Sequence, residues 1–254
     1  MTWHIHQIAK PKIKNPVLIE GLPGVGNVGK IAADFMIDTL KAKKLCEITS
    51  YNLPHCVFVN EENLVELPII EVFYKNYKDH TLLLLAGDIQ PLNETSCYEF
   101  CDKILDLVEE QKGKKEIITL GGIALKKNPN TPKVYTASNG HTIRKKYDKM
   151  MRNGMYGIVG PIVGVSGLLV GLAGKRKIPA VSLLAETWGH PAHLGITSAK
   201  ALLQVLNTKL KLKMNLKELD AELLEIEKQE KINMTNIKRI KILEQKEKDL
   251  SYIG

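Results

Sequence analysis

With 254 residues, 44% of them hydrophobic, the chain is long enough to bury a full core, and one α/β domain with an appendage is the expectation. Its formal charge of +8 raises the question of nucleic acid, but the lysines are spread along the chain and aromatics make up only 6% of it. No recognition helix, stacking platform or basic hairpin stands out, and no apolar run is both long and uninterrupted enough for a bilayer, so the expectation is a cytoplasmic protein that engages neither nucleic acid nor membrane.

In chain order, Trp-His-Ile-His-Gln-Ile near the N-terminus alternates and predicts an edge strand. Val17–Glu20 reads as the first buried strand. A glycine-rich turn follows, and Asn27 or Gly29 opens a helix that the apolar spacing carries to about Lys43. Ile48–Asn52, Cys56–Asn60, Leu64–Pro68 and Ile69–Tyr77 read as short strands, the later pair as a meander or hairpin. Thr81–Ala86 is continuously apolar, as strands buried on both faces of a parallel sheet are, and Asp88 follows at its carboxyl end. A helix from Glu94 to Gln111 turns Phe100, Ile104, Leu107 and Val108 inward. Glu116–Leu120 is a strand ending at Gly121-Gly122, Val134–Ala137 another, and Thr142–Lys149 a short helix. Gly157–Pro161 and Val163–Leu172 predict a strand, a corner and a helix carrying Gly164, Gly167 and Gly171, which permit close packing within the fold or against another subunit. Ile178–Ala185 is the last buried strand, and Ile196–Leu210 is an amphipathic helix. The alternation predicts a mostly parallel open sheet with helices on both faces.

The turn after the first strand fits two phosphate-binding patterns in part. Gly24, Gly26 and Gly29 match G-x-G-x-x-G, and Gly24 to Lys30 match the first part of a P-loop. Ile31, however, stands where the magnesium-holding hydroxyl belongs. Glu47, near the distance of a ribose-binding acid, opens its strand run rather than closing it. The remaining function for these glycines is to let the first helix approach the sheet. Asp88, Ser166, Glu186, His190 and His193 are the other candidates for chemistry. Pro191 separates the two histidines, so the H-E-x-x-H geometry is absent, and Ser166 lies in G-x-S-G rather than in a nucleophile elbow. No metal or cofactor is expected. Cys46, Cys56, Cys97 and Cys101 form no C-x-x-C pair and read as plain thiols.

Ile-Glu-Gly-Leu-Pro-Gly-Val-Gly-Asn-Val-Gly from Ile19, Leu-Leu-Leu-Leu-Ala-Gly-Asp ending at Asp88, Gly121-Gly122, Gly-Pro-Ile-Val-Gly-Val-Ser-Gly from Gly160 and Leu-Leu-Ala-Glu-Thr ending at Thr187 occur in this order. Together they resemble the archaeal branch of the proteasome assembly chaperone family, over nearly all of the globular part. The resemblance implies an open sheet similar to the nucleoside phosphorylase and hydrolase group. It further implies a non-enzymatic, ATP-independent protein that forms a homo-oligomer or pairs with a paralogue and binds proteasome α-subunits. Gly21, Pro23, Gly24, Gly26, Asn27 and Gly29 form the motif loop. Two rival readings are a hydrolase or phosphorylase with a nucleoside-like ligand near Gly24, Asp88 and Glu186, and a self-assembling scaffold without proteasome contact.

The domain is expected to span residues 1–213 and a charged helical extension residues 214–254. Leu216, Leu219, Leu223 and Ile226 keep heptad spacing, Glu230 and Asn233 interrupt it, and Ile237 and Ile240 resume it. The chain ends Leu250-Ser-Tyr252-Ile253-Gly254. This resembles the tails with which proteasome activators dock between α-subunits, except that Tyr252 is third from the end rather than second. The terminal carboxylate is thereby displaced by one residue, about 3.5 Å if extended.

Overall fold

The computed structural model describes residues 3–91, 93–148, 160–217 and 219. Met1–Met214 form one compact unit and Asn215–Gly254 a second. The elements of the first are β1 (Trp3–Gln7), β2 (Pro16–Gly21), α1 (Val28–Thr39), β3 (Lys43–Ser50), β4 (Phe58–Val59), β5 (Val65–Glu66), β6 (Ile70–Asn76) and β7 (Thr81–Gly87). They continue with α2 (Glu94–Glu109), β8 (Glu116–Leu125), β9 (Val134–Ser138), α3 (His141–Asp148), α4 (Val165–Lys175), β10 (Ala180–Trp188) and α5 (Ile196–Leu210). The extension's heptads beyond residue 217, Leu219 excepted, and the docking tail Leu250, Tyr252, Ile253 and Gly254 lie outside the described residues, as does Gly157 with its neighbours up to residue 159.

Eight strands form one open sheet in the order β1-β3-β6-β7-β2-β8-β10-β9. The central four, β7, β2, β8 and β10, run parallel, as their apolar runs predict. The flanking pairs β1–β3, β3–β6, β6–β7 and β9–β10 are antiparallel, so the sheet is mixed around a parallel centre. Because side chains alternate along a strand, Leu18, Leu83, Leu85 and Ile117 face one side, where they pack with Phe100 and Ile104 of α2 and Val165 and Leu169 of α4. Ile19, Leu82, Leu84 and Ile118 are equally buried and face the other side, against which α1 and α5 lie. Trp3 closes the first layer at the β1 edge, its ring 4.8 Å from that of Phe100.

Several elements differ in extent from the sequence expectation, β4 and β5 being only two residues each. Helix α1 stops at Thr39 rather than near Lys43, because Lys41 turns left-handed (φ 50°) and the Ala42 amide reaches back to the Ile37 carbonyl. Lys43 then opens β3. Strand β8 continues through Gly121-Gly122 to Leu125, and β10 continues beside it, in register, to Trp188. The two glycines therefore lie inside a strand, and Glu186 and Thr187 belong to β10 rather than to a loop. Residues 160–164 are not a strand; they lead into α4.

Candidate functional site

Open α/β sheets place ligands at the carboxyl ends of their parallel strands, which here are Gly21, Gly87, Leu125 and Trp188. The motif loop crosses this end. Gly21 and Gly29 are used for contact: a Cβ on Gly21 would meet the Gly29 carbonyl oxygen at 2.3 Å, and one on Gly29 would meet the Leu120 carbonyl oxygen at 2.5 Å. Helix α1 thus rests directly on the backbones of β2 and β8. Gly26 (φ 62°) and Asn27 (φ 50°) supply the left-handed turn into α1. Gly24 is extended and exposed, and a Cβ there would meet nothing within 4 Å.

The loop is braced on both sides. Gln90 donates from Nε2 to the Pro23 carbonyl at 2.8 Å and accepts from the Val165 amide at 3.2 Å, linking it to the start of α4. The Gly195 amide donates to the Gly26 carbonyl at 2.8 Å. Lys30, at the P-loop lysine position, pairs with Asp34 at 3.1 Å and Asp88 at 3.6 Å. Asp88 also accepts from the Ile69 amide at 3.1 Å. Burial holds the Asp34 carboxyl above its ordinary range, and the Lys30 charge opposes that shift.

The remaining candidates do not converge. Glu186 accepts from the Tyr135 hydroxyl at 2.9 Å and the Lys133 amide at 3.1 Å, so its carboxylate is turned to β9. His190 stacks on Trp188 at 4.6 Å and His193 tilts against the same ring at 5.5 Å. Asp88 follows β7 and Glu186 lies in β10, with β2 and β8 between them. At roughly 4.8 Å per strand, that is a lateral separation of about 14 Å. The histidines belong to an aromatic stack rather than a metal centre, and among the described residues no group of three His, Cys, Asp or Glu could hold a metal. Cys97 and Cys101 share a face of α2, buried and in contact, and all four cysteines are free. Cys56 is the exposed one.

The sequence reading passed over Glu20. It is fully buried in β2, where Val-Leu-Ile-Glu-Gly carries one acid in an otherwise apolar strand, and that intrusion was the available signal. Oε1 accepts the Leu22 amide at 3.0 Å, whereas Oε2 keeps no hydrogen bond of normal geometry among the described residues. Burial pushes the carboxyl up to about 7, with the Leu22 amide and the Ser166 side chain acting against the shift. Ser166 itself donates to the Leu120 carbonyl at 3.5 Å.

Beside the loop lies a groove of about 560 Å³ between α2 and α4, lined by Tyr98, Cys97, Ile162, Val163, Leu168 and Gly171 among others. Gly167 is used internally against the Ile162 carbonyl, while Gly171 opens onto the groove. Among the described residues no helix is long and apolar enough to cross a membrane.

Glycines closed by backbone, a lysine held between carboxylates and histidines stacked on tryptophan define an α/β scaffold with a tightly packed sheet end. The chain matches the PAC2 family over residues 18–232. It is 31% identical over 249 residues to the Methanocaldococcus jannaschii protein MJ1210, covering 95% of this chain and 93% of that one. Its fold is similar to the crystal structure of Pyrococcus furiosus PbaB, an archaeal proteasome activator: TM-score 0.82 and 32% identity over 91% of this chain and 99% of that one. It is also similar to Pyrococcus furiosus PbaA, an archaeal homologue of proteasome-assembly chaperone, with TM-score 0.72 and 25% identity over 89% and 94% of the two chains. The chain belongs to the PAC2 family.

Proposed function

We propose that the protein is a non-enzymatic, ATP-independent proteasome assembly chaperone-like protein that associates with itself or a paralogue and binds proteasome subunits. One observation carries the proteasome part of this reading, the 32% identity and TM-score of 0.82 shared with PbaB, an archaeal proteasome activator, over 99% of that chain; the chaperone part follows the likeness to PbaA, a homologue of proteasome-assembly chaperone. The loop chemistry supports independence from ATP: Ile31 follows Lys30 where a magnesium-binding hydroxyl is required, and Lys30 is engaged by Asp34 and Asp88. In this reading residues 214–254 act as an arm whose end, Leu250, Tyr252, Ile253 and Gly254, enters a pocket between α-subunits, with tyrosine filling the pocket and the carboxylate meeting a lysine.

Native mass spectrometry of the full chain mixed with proteasome α-subunits tests the reading. The expected result is a complex with the full chain that is lost when Tyr252-Ile253-Gly254 is removed. A complex indifferent to that removal would discard tail docking and leave surface contact. No complex in either form, alone or with a paralogue, would overturn the proteasome reading.

A further inference from the structure

Between Lys44 and Lys75 the chain carries no lysine or arginine, but it does carry Glu47, Glu61, Glu62, Glu66 and Glu71. Its formal charge is −5 there, leaving +13 on the rest of a chain whose total is +8. The centre of this stretch is the β4–β5 hairpin, which leaves the sheet after β3 and returns at Ile70, opposite Gly87, and so projects from the carboxyl end of the parallel strands. The hairpin is preformed. Phe58 pairs with Glu66 and Val59 with Val65, and Asn60 holds the tip by accepting the Glu62 and Leu64 amides at 3.0 and 2.9 Å.

Its apolar side chains lie outside the core. Tyr51 is 104% exposed, Val57 52%, Phe58 44%, Val59 65%, Leu64 56%, Val65 69%, Leu67 76% and Ile69 37%. Val59 and Val65 are cross-strand partners and share one face of the hairpin, and Phe58 stands on the other. Large apolar side chains left exposed together mark an interaction surface. A lone two-stranded hairpin is marginal in water, so one this apolar is stabilised by being covered.

The opposite end of the sheet carries the complementary charge. At the amino ends of β2 and β8 and the last turns of α3 and α5, a basin of about 290 Å³ is lined by Lys114, Lys115, Lys146, Lys209 and Lys211 together with Val17 and Leu210. Among the described residues Glu116 is its one acid, and it pairs with Lys146 at 2.6 Å.

We infer that the β4–β5 hairpin of one copy seats in the lysine basin of a second copy, a head-to-tail self-association in which Glu61 and Glu62 meet the lysines and Val59 and Val65 cover their stems. This inference rests on the self-association included in the proposed function and supplies its interface. The two surfaces differ and lie at opposite ends of the sheet, so the contact is heterologous: it closes a ring if its rotation allows and extends a chain if not.

The test uses the full chain in three forms, compared by native mass spectrometry and sedimentation velocity. These are the unaltered protein, a hairpin variant (Val59→Lys with Val65→Lys) and a basin variant (Lys114→Glu with Lys115→Glu), each checked for an unchanged circular dichroism spectrum. Val59 and Val65 are 65% and 69% exposed, so the hairpin substitutions leave the core untouched. The expected result is an oligomer for the unaltered chain and monomers for each variant, with affinity weakened about 30-fold or more. Mixing the two variants should restore a dimer and nothing larger, because each retains one intact half of the contact. Oligomers that survive in either variant would overturn this interface while leaving self-association standing. Monomeric variants that fail to recombine would overturn the head-to-tail arrangement, and a monomeric unaltered chain would remove self-association itself.

Discussion

Replacing Glu20 by glutamine should make stability less dependent on pH, the variant gaining on the unaltered protein between pH 5 and pH 8. The carboxyl is completely buried, and its folded-state pKa is raised from 4.5 to about 7, chiefly by desolvation. The native state therefore holds a proton between about pH 4.5 and 7 that the unfolded chain releases, so stability falls as pH rises through this window and levels off above it. At 1.36 kcal/mol per unit, a shift of about 2.5 units corresponds to about 3 kcal/mol. Glutamine stays neutral throughout, and its amide oxygen can keep the Leu22 N–H. Urea denaturation at pH 5, 6, 7 and 8 should show the variant gaining on the unaltered protein by about 3 kcal/mol across the series. In a domain of this size that is about 6–12 °C in melting temperature. The new amide NH₂ beside Ser166 adds a cost of its own, about 1–3 kcal/mol if unsatisfied, but that cost is equal at every pH. The diagnostic is therefore the pH dependence of the difference. A constant offset from pH 5 to 8 would show that Glu20 is already ionised in the native state and refute the argument from burial.

The glycine loop separates packing from ligand binding by two substitutions. Gly29→Ala drives a Cβ to 2.5 Å from the Leu120 carbonyl oxygen and should destabilise by about 1–3 kcal/mol or prevent folding, whereas Gly24→Ala meets nothing and should shift the melting temperature by less than about 2 °C. At the end of α4, Arg176 pairs with Asp102 and Asp106 at 2.6 Å and with Glu109 at 2.8 Å, on acids whose side chains are 42–52% exposed. With that exposure discounted, Arg176→Met should cost about 1–2 kcal/mol in thermal denaturation, and the loss should shrink in high salt. Cys56 should be the one thiol of four that reacts rapidly with an aromatic disulfide in the native protein, because Cys46, Cys97 and Cys101 are buried and burial pushes Cys46 up to about 11. Rapid reaction of a second thiol without denaturant would contradict the packing of α2 and β3.

What the sequence conveyed well was whatever depends on short-range periodicity. The Thr81–Ala86 run, the inward stripe of α2 and the limits of α5 are all present, because buried parallel strands and amphipathic helices write their environment into consecutive residues. What it conveyed poorly depends on a partner distant in the chain. Gly121-Gly122 reads locally as a strand end; the strand continues because β10 pairs with it through Trp188, and the glycines are needed where the Val25 carbonyl comes within 2.5 Å of a Cβ on Gly122. Glu186 and the histidines read as a constellation because they are neighbours in sequence. In β10 alternation turns Glu186 to Tyr135, and Trp188 takes both imidazoles. The apolar hairpin was visible as strands, but exposure is a tertiary property, and alternation alone gave no sign that Val59 and Val65 would be left in water.

The glycine loop shows why a phosphate pattern needs its partners examined. G-x-G-x-x-G answers two demands at once, close approach of a helix to a sheet and close approach of backbone amides to an anion. Gly21 and Gly29 meet the first completely, each against a carbonyl oxygen that leaves no room for a methyl group. The residue that decides about the second is Lys30, and its charge is already shared between Asp34 and Asp88. A phosphate approaching this loop would have to compete with two carboxylates for the nearest cation and would meet their negative charge beside it. Of the three pattern glycines, Gly29 therefore serves the packing of α1 and Gly26 its left-handed turn, and the electrostatics beside the loop disfavour a phosphate.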